Sequence, residues 1–479
     1  MSLSILIGTS IVILNIIFII FLIFFERRNP STTWAWLLIL TLFPILGFIV
    51  YLFLGKNLSH ERIFNKKIME DIRKNEYINK IIKSYEYDIS AIENKDIIKM
   101  HYKNANSLYT QRNNVKLYFH GEEKFNDLFY HIEQSKKFIH MEYYIIKPDD
   151  LSYKLMKLLT KKAKEGLEVK LLFDAMGSYK FTKDKDGLLK NFKEAGGKYA
   201  VFFPTSFPFI NKRINYRNHR KIVVIDGEAA FLGGLNVGNE YIGKDKKIGN
   251  WRDAHMKIVG EAVNDLEGRF LMDWTYASKE EIEDYTKYFS TKTHIDINVG
   301  MQIVSSGPDH DEQYIKNGYV KIINNAKDYL YLQSPYFVPD DNVLDSLKIS
   351  SLSGVDVRIM IPGNPDHIFM SWAAQSYIRE LLKAGARVFL YNNGFIHCKT
   401  IVSDNSLSSI GTANMDIRSF KLNFETNAFI YNSEIAHTLR EQFLMDMKDS
   451  QEITLEDLNN VSRTSKILES ITRLLSPIL

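Results

Sequence analysis

One short pattern of residues occurs twice in this chain of 479 residues, with every spacing preserved. Each copy reads His-x-Lys, then four residues, Asp, six more residues and Gly-[Gly/Thr]-x-Asn. The two copies consist, in order, of His219, Lys221, Asp226, Gly233, Gly234 and Asn236, and of His397, Lys399, Asp404, Gly411, Thr412 and Asn414. A single His-x-Lys carries little information in a chain of this length. Two copies that agree throughout indicate an internal duplication and predict a fold made of two similar halves.

The similarity of the two halves extends beyond these motifs. Residues 132–142 align without a gap to residues 323–333, and residues 165–173 align in the same way to residues 353–361. In each aligned segment the end of a helical pattern is followed by an apolar run of strand length. Strands that alternate with helices are typical of α/β units. We therefore predict two halves related by a pseudo-twofold axis, each with a mixed sheet flanked by helices.

The N-terminus is far more apolar than the rest of the chain. Ser4–Phe25 and Trp34–Leu54 each match the roughly 20 residues that a helix needs to cross a bilayer, and Glu26–Arg28 lies between them. We therefore predict an N-terminal transmembrane helical hairpin, and with it a multi-pass protein of the cell membrane. Lysine and arginine are frequent just after the second run, which favours a cytoplasmic C-terminal part, whereas the two arginines between the runs favour the opposite orientation.

The predicted organisation has four parts. Residues 1–56 form the transmembrane hairpin, residues 57–106 form a basic helical connector, and residues 107–290 and 291–479 form the two halves. The basic start of the connector suits contact with anionic lipid and suits a solvated helix equally well. Assembly into a homo-oligomer is left open by the sequence.

The composition narrows the class of function. A formal net charge of +4 is mild, so the chain lacks the concentrated positive charge of a nucleic-acid binder, and we expect no nucleic-acid partner. The single cysteine, Cys398, excludes an internal disulfide framework. Most of the functional information therefore lies in the two repeated motifs.

The histidines of the motifs suit an attack on a phosphodiester. If the halves pack about a pseudo-twofold axis, His219 and His397 flank one phosphorus atom. One of them then forms a covalent phosphohistidine, while the other protonates the departing alcohol and deprotonates the incoming one. The two imidazoles must differ in protonation at the start, which two neighbouring titrating groups can arrange between them.

Other residues of the motifs suit the binding of a phosphate group. Lysine and asparagine donors can hold the non-bridging oxygens and stabilise the charge of the transition state, and here these residues are Lys221, Lys399, Asn236 and Asn414. The small residues at positions 233–234 and 411–412 let the backbone come close to a bound anion. Because lysines neutralise the charge, the chemistry needs no metal, and we predict no cofactor.

Four acidic residues allow more than one interpretation. Asp226 and Asp404 complete the catalytic motif, yet each falls in a predicted turn, which favours a structural role over direct chemistry. Asp253 and Glu425 follow the two motifs at matching positions. Each is either the carboxylate that a reactive histidine needs on its second nitrogen or a surface acid at the start of a strand.

Further phrases of the sequence point to a known family. They are Ser306-Gly-Pro-Asp309, Ser334-Pro-Tyr-Phe-Val-Pro-Asp340 and Asn414-Met-Asp-Ile-Arg-Ser-Phe420. Together with the two motifs, they make the chain from about Asn106 onwards similar to the phospholipase D superfamily. With its N-terminal apolar pair, the chain resembles the bacterial cardiolipin synthases still more closely.

The resemblance implies a phospholipase D fold and a membrane phosphatidyltransferase that condenses two phosphatidylglycerol molecules to cardiolipin and glycerol. The expected partners are phosphatidylglycerol, other anionic phospholipids and the bilayer. The family also implies His219 as the nucleophile and His397 as the acid and base, although the reverse is open. The alternatives are a phospholipase D-type hydrolase, a nuclease and a non-enzymatic scaffold. The hairpin and the mild charge disfavour a nuclease, and two intact motifs disfavour a scaffold.

Overall fold

The computed structural model describes residues 3–25, 30–54, 67, 71, 87–90, 92–204, 215–290, 297–366, 368–460, 462, 467–470 and 472–473. The chain divides into two compact units. One contains Met1–Glu70 and Phe207–Asn215, and the other contains Asp71–Ser206 and Tyr216–Leu479. Both copies of the repeated motif therefore lie in the second unit.

The N-terminal unit begins with three helices: α1 (Leu3–Phe25), α2 (Pro30–Leu42) and α3 (Pro44–Leu54). The second predicted span is divided between α2 and α3, because Pro44 has no amide proton to donate and opens a new helix. In the described part of the chain, no helix combines the length and the hydropathy that define a membrane span. The transmembrane hairpin therefore stays a prediction.

The side chains of this unit pack only partly against one another. Leu22, Leu40 and Tyr51 form a small buried cluster. Many large apolar side chains of the same segment are exposed: Val12, Ile13, Leu14, Ile16, Ile17, Ile20, Ile23, Phe24, Trp34, Leu38, Leu42, Phe43, Ile45, Leu46 and Phe48. A contiguous apolar surface of this kind marks an interaction surface rather than a water-facing one.

Most of the predicted connector at 57–106 lies outside the described residues. Its last part forms α4 (Lys95–Ala105), which ends at Asn106 in the left-handed conformation. The buried Ile97 and His101 of this helix pack into the core of the second half, where the His101 ring lies 4.4 Å from that of Phe429.

The elements of the first half follow α4. They are β1 (Asn113–His120), α5 (Gly121–Gln134), β2 (Phe138–Tyr143), α6 (Asp150–Lys164), β3 (Glu168–Asp174), α7 (Tyr179–Thr182), α8 (Leu188–Glu194), β4 (Lys198–Phe202), β5 (Arg217–Asn218), β6 (Ile222–Ile225), β7 (Ala229–Gly233), β8 (Trp251–Gly260) and α9 (Ala262–Ser278). Short 3-10 turns occur at Asn239–Ile242 and Thr286–Tyr288.

The second half repeats the same alternation. Its elements are β9 (Gly300–Ser306), α10 (Tyr314–Asn325), β10 (Tyr329–Gln333), β11 (Phe337–Val338), α11 (Asp341–Leu352), β12 (Asp356–Pro362), α12 (Ile368–Lys383), β13 (Arg387–Tyr391), β14 (Phe395–Ile396), β15 (Thr400–Ser403), β16 (Leu407–Gly411), β17 (Met415–Asp416), α13 (Ile417–Lys421), β18 (Asn423–Tyr431), α14 (Ser433–Asp446), β19 (Ser450–Ile453) and α15 (Leu455–Asn459). A 3-10 turn at Met447–Asp449 follows α14.

Each half has its own mixed sheet. The strand order is β1-β8-β7-β6-β2-β3-β4 in the first sheet and β19-β13-β12-β10-β15-β16-β18-β5 in the second, where β9 also pairs with β18. The pairs β2–β3 and β3–β4 are parallel, as are β10–β12 and β12–β13, while β2–β6 and β10–β15 are antiparallel. The predicted α/β fold with two similar halves and mixed sheets is therefore confirmed.

Two very short strands cross between the halves. Strand β5 of the first half pairs with β18 of the second half, with Arg217 opposite Asn423. Strand β14 of the second half pairs in the same way with β8 of the first half, with Phe395 opposite Trp251. Because each crossing strand directly precedes a motif histidine, this exchange decides where both histidines lie.

Candidate active site

The two motif histidines are anchored on the opposite halves. The amide of His219 donates to the carbonyl of Phe424 in β18 at 3.0 Å. The amide of His397 donates to the carbonyl of Arg252 in β8 at 2.7 Å. The residues His219 and His397 are 8% and 7% exposed, so each is nearly enclosed. The short crossing strands thus carry each histidine into the other half.

The carboxylates on the histidines also come from the opposite halves. Nδ1 of His219 lies 2.9 Å from both carboxylate oxygens of Glu425, and Nδ1 of His397 lies 2.8 Å from Oδ2 of Asp253. Both carboxylates are completely buried. A carboxylate that accepts from Nδ1–H fixes the tautomer and leaves Nε2 as the reactive nitrogen. The structure thus brings both proposed carboxylates to the histidines, and the alternative of surface acids is wrong.

The two motif lysines lie behind the histidines. Nζ of Lys221 donates to the carbonyl of His219, and Nζ of Lys399 donates to the carbonyl of His397, both at 2.6 Å. Both lysines are buried, and each lies within electrostatic reach of both Glu425 and Asp253. The structure thus places both amino groups on the backbone carbonyls of the histidines, near both His–carboxylate pairs.

The motif asparagines face the same space as the histidines. His219, His397, Asn236 and Asn414 all line one cavity of about 870 Å³. The rest of its described lining contains apolar, aromatic and charged side chains, among them Tyr144, Trp251, Tyr336, Phe369, Arg217, Lys247, Glu240, Asp416 and Arg418. A cavity of this size can enclose a polar headgroup.

The small residues of the motifs have a different role from the one expected. A Cβ atom on Gly234 would lie 2.1 Å from Oδ1 of Asp253. Thr412, at the equivalent position, donates its hydroxyl to Oε2 of Glu425 at 2.5 Å. Gly234 and Thr412 thus pack against the carboxylates behind the histidines, which gives no support to the interpretation that they let the backbone approach an anion.

The structure places Asp226 and Asp404 away from the histidines. Asp226 accepts hydrogen bonds from the backbone amides of residues 136–138 at 2.7–2.9 Å, and Asp404 accepts from those of residues 327–329 at 2.7–3.0 Å. Both have a positive φ, at 57° and 50°. A strand of four residues lies between each aspartate and its lysine, so their Cα atoms are roughly 17 Å apart. This geometry fits the predicted turn role and gives no support to the placement of either residue in the catalytic set.

Burial dominates the electrostatics of the site. It lowers the pKa of His219 to about 4, with Glu425 opposing and Lys221 reinforcing the shift. Burial and Lys399 lower the pKa of His397 to about 4 against the opposing charge of Asp253. Both imidazoles are therefore neutral at pH 7 in the ligand-free protein, and the expected difference in protonation is not present in this state.

The carboxylates and lysines respond to the same environment. Burial alone would raise the pKa of Glu425 and Asp253, but the partner histidines and the lysines hold both below their usual values. Burial lowers the pKa of Lys399 to about 8 and that of Lys221 well below its usual value. The two carboxylates thus favour the charged form of each lysine, and burial opposes it.

Some residues of the site were not identified from the sequence. The ring of Tyr144 lies 4.9 Å from that of His219, and the ring of Trp251 lies 5.1 Å from that of His397. Each aromatic ring packs beside one histidine, and an apolar ring in this position limits the access of water to the imidazole. When the alignment of the halves is continued past residue 142, Tyr144 lies opposite Pro335. The tyrosine is therefore not repeated, and repetition could not identify it. Among the described residues, no group of three or more His, Cys, Asp or Glu side chains forms a metal site.

Two family models match parts of the chain. A family model described as "Cardiolipin synthase, PLD-like domain" matches residues 128–274 and 319–447, and a second, described as phospholipase D-nuclease N-terminal, matches residues 13–56. The solved structure of phosphatidylserine synthase from Haemophilus influenzae Rd KW20 has a TM-score of 0.61, covers 81% of this chain and 100% of that chain, and is 15% identical. That likeness shows the fold alone.

Curated relatives match the chain over nearly its whole length. A cardiolipin synthase of Clostridium perfringens (strain 13 / Type A) is 55% identical over 95% of each chain. A cardiolipin synthase of Listeria innocua serovar 6a is 48% identical over 98% of each chain. The resemblance inferred from the motifs is therefore confirmed, and the chain belongs to the cardiolipin synthase family with phospholipase D-like domains.

Proposed function

We propose that the protein is a membrane phosphatidyltransferase that condenses two phosphatidylglycerol molecules to cardiolipin and glycerol. The observation that carries the proposal is the pair His219 and His397, each held by a carboxylate of the other half and both opening into one cavity. The names of the curated relatives support the same activity. The two halves, 107–290 and 291–479, act as one catalytic body because neither holds a complete His–carboxylate pair.

The reaction proceeds in two displacements at phosphorus. Nε2 of one histidine bonds to phosphorus while the bond from phosphorus to the glycerol oxygen breaks, and the other histidine protonates that oxygen. The second histidine then takes the proton of a hydroxyl group of another phosphatidylglycerol. That oxygen bonds to phosphorus as the phosphorus–nitrogen bond breaks. One phosphodiester replaces another, so the exchange requires no nucleotide.

The protonation of the second histidine follows from substrate binding. Both pKa values lie at about 4 in the ligand-free protein. A phosphodiester anion in the cavity favours the charged imidazole and raises the pKa of whichever histidine becomes the acid. The family resemblance assigns the nucleophile to His219 and the acid to His397. Trapping of the histidine that carries the phosphatidyl group tests this assignment.

The charge of the transition state is stabilised by the remaining motif residues. Asn236 and Asn414 line the cavity and can donate to the non-bridging oxygens. Lys399 supplies positive charge from behind His397, and Lys221 does so from behind His219 when it carries its proton; the buried surroundings strengthen the effect of either charge. The supporting roles of Asp253 and Glu425 are to orient the imidazoles and to stabilise them when they are charged.

We also propose that residues 1–56 anchor the enzyme as a two-helix membrane hairpin. The exposed apolar surface of α1, α2 and α3 supports this, because such side chains need lipid or protein cover. The match of residues 13–56 to the phospholipase D-nuclease N-terminal family supports it as well. The basic residues that follow α3 favour a cytoplasmic catalytic part and contact of the connector with anionic lipid.

The decisive experiment uses the purified full-length protein in vesicles of phosphatidylglycerol, without nucleotide or added divalent metal. Equal amounts of cardiolipin and free glycerol are the expected products, and the same preparation of His397→Ala serves as the control. Phosphatidic acid as the main product at saturating lipid would instead identify the protein as a hydrolase. Cross-linking in the same vesicles tests for a homo-oligomer.

A further inference from the structure

The mouth of the cavity lies between one segment of each half. Most of the described residues that line the cavity are buried or half-buried. The exposed ones are Lys247 of the first half and Asn364, Pro365, Asp366 and Phe369 of the second half. Residues 244–247, 364–366 and 369–370 therefore mark the place where the cavity meets the surface, and we call these residues the rim.

The second-half side of the rim presents a large apolar surface. Phe369 is 56% exposed, and its ring lies 5.5 Å from that of the partly exposed Trp372. Met370, which also lines the cavity, is partly exposed as well. The acid of this side, Asp366, accepts from the hydroxyl of Tyr336 at 2.6 Å. An exposed apolar group beside a polar cavity is typical of an interaction surface rather than of a water-facing one.

The first-half side of the rim is basic. Its turn contains three exposed lysines, which are Lys244, Lys246 and Lys247. The one acid of the turn, Asp245, accepts from the amide of Lys247 at 2.8 Å, so residues 244–247 carry a net charge of +2. Lys147 and Glu240, which also line the cavity, neutralise each other in an ion pair. With Asp366 on the opposite side included, the rim still keeps a net charge of +1.

The proposed substrate must bring its phosphodiester to two nearly enclosed histidines. A diacyl phospholipid cannot readily leave the bilayer for this, because the transfer of two acyl chains into water is strongly unfavourable. A cavity mouth that faces the bilayer lets the headgroup enter while the chains stay in lipid. Aromatic side chains are enriched at the membrane–water interface, and lysines are attracted to an anionic leaflet. The rim carries both kinds of residue at one opening.

We propose that the rim docks on the surface of an anionic bilayer, where Phe369 inserts among the lipids and the three lysines lie against the lipid phosphates. This contact is separate from the proposed N-terminal anchor, since it involves only residues of the two halves. It points the cavity at the lipid, so that a phospholipid reaches the histidines with its headgroup first. The inference rests on the proposed phosphatidyltransferase activity, which makes a diacyl phospholipid the substrate.

The first test measures whether the rim enters the lipid. Cys398 is completely buried, so a cysteine introduced by Phe369→Cys can be labelled selectively with a fluorescent maleimide. The labelled full-length protein is placed in phosphatidylglycerol vesicles whose lipids carry brominated acyl chains, which quench a fluorophore that contacts them. The label at 369 should be quenched. Ile349→Cys is the matched control, because Ile349 is 62% exposed on α11 and does not line the cavity, and its label should keep its fluorescence.

Two results of this test would overturn the proposal. Absence of quenching at 369 would show that the rim is solvated or covered by something other than lipid. Equal quenching at 369 and 349 would show that the bilayer has no preference for the rim.

The second test removes charge from the rim without changing the lining of the cavity. The joint variant Lys244→Gln and Lys246→Gln should lower cardiolipin formation in phosphatidylglycerol vesicles by about tenfold, because both lysines lose their attraction to the anionic surface. Its activity on short-chain phosphatidylglycerol, dispersed in a neutral detergent, should stay within about twofold of the unmodified protein, because exposed charges contribute little to the fold.

A joint Lys157→Gln and Lys164→Gln variant is the control for the second test, because it removes the same charge from exposed positions of α6. It should leave both activities unchanged. An equal loss in this control, or no loss with vesicles in the rim variant, would overturn the role of the rim lysines. Absence of cardiolipin from either substrate in the unmodified protein would instead count against the proposed function, whereas the quenching experiment would still decide whether the rim docks on lipid.

Discussion

The two histidine centres share a plan but differ in how the carboxylate is held. Glu425, beside His219, accepts from the hydroxyl of Thr412 at 2.5 Å. Asp253, beside His397, accepts from the indole nitrogen of Trp251 at 3.3 Å and packs against Gly234. The longer side chain of Glu425 is thus held by a hydroxyl donor at the position where the shorter side chain of Asp253 packs against a glycine.

The comparison shows how a duplicated site can keep its geometry while its surroundings diverge. Both Nδ1–carboxylate distances remain 2.8–2.9 Å although the acid and its neighbours differ. The surroundings of the two histidines therefore differ, although the pKa of each is lowered to about 4. A nucleophile and an acid have different needs, so this divergence suits a site in which the two halves perform different steps.

The largest effect is expected from the histidines themselves. His219→Ala and His397→Ala should each lower cardiolipin formation at least about a thousandfold, because each step of a double displacement needs both groups. Rapid denaturation at mildly alkaline pH, where the bond between phosphorus and nitrogen survives, followed by mass spectrometry should find the phosphatidyl group on only one histidine. Substantial turnover in either variant, or a covalent adduct on both histidines, would show that the two histidines do not have separate, essential roles.

The next effect separates the two carboxylate environments. Gly234→Ala should lower activity about a hundredfold or more, since the added Cβ would lie 2.1 Å from Oδ1 of Asp253. Thr412→Gly copies the first-half residue into the second half and removes one hydroxyl donor, so a loss of about tenfold or less is expected. Cardiolipin assays and thermal unfolding curves measure both. Equal losses would show that the two carboxylates are held in the same way.

A smaller effect is expected at the two turns. Asp226→Asn and Asp404→Asn should each keep activity within about tenfold, because asparagine tolerates the positive φ and keeps one acceptor oxygen. Their free energy of unfolding should fall by about 1 kcal/mol through weaker hydrogen bonds to the backbone amides. Glu228→Gln, at an exposed position in the same turn as Asp226, is the control. Inactivation as severe as that of the histidine variants would assign these aspartates a chemical role.

The smallest effect concerns the pH dependence of stability. Both histidines have folded-state pKa values of about 4, below the ordinary 6.5. The unfolded chain therefore binds more protons between these values, and stability must fall as pH falls from 6.5 towards 4. Urea unfolding at several pH values measures this slope. His219→Gln and His397→Gln should reduce it by similar amounts, and a reduction by only one of them would show that the burial of the two centres is not equivalent.

Much of the fold followed from periodicity and repetition. The gapless alignment of 132–142 with 323–333 correctly paired α5 and β2 with α10 and β10, because helix and strand signals are local. The predicted turn at Asp226 lies between β6 and β7 in the structure. The division of the second apolar run into α2 and α3 was missed, since the interruption depends on one proline inside an otherwise uniform segment.

The sequence identified most residues of the site but did not show which of them contact one another. Repetition identified the two histidines, and the need for a tautomer-fixing acid identified Asp253 and Glu425. The exchange of partners between the halves was not foreseen, because two-residue strands such as β5 and β14 carry no pattern of their own. The role of Gly234 was missed for a related reason, since its neighbour in space lies on a different strand.

The crossing of β5 and β14 decides when the His–carboxylate pairs can form during synthesis of the chain. A nascent chain that already contains all of 107–290 has His219 but not its carboxylate, because Glu425 lies near the far end of the sequence. No fragment that stops before this residue can fix the tautomer of that imidazole. The two His–carboxylate pairs therefore exist together only after residue 425 has been synthesised, and an unfinished copy that ends earlier lacks one of the two groups that the double displacement needs.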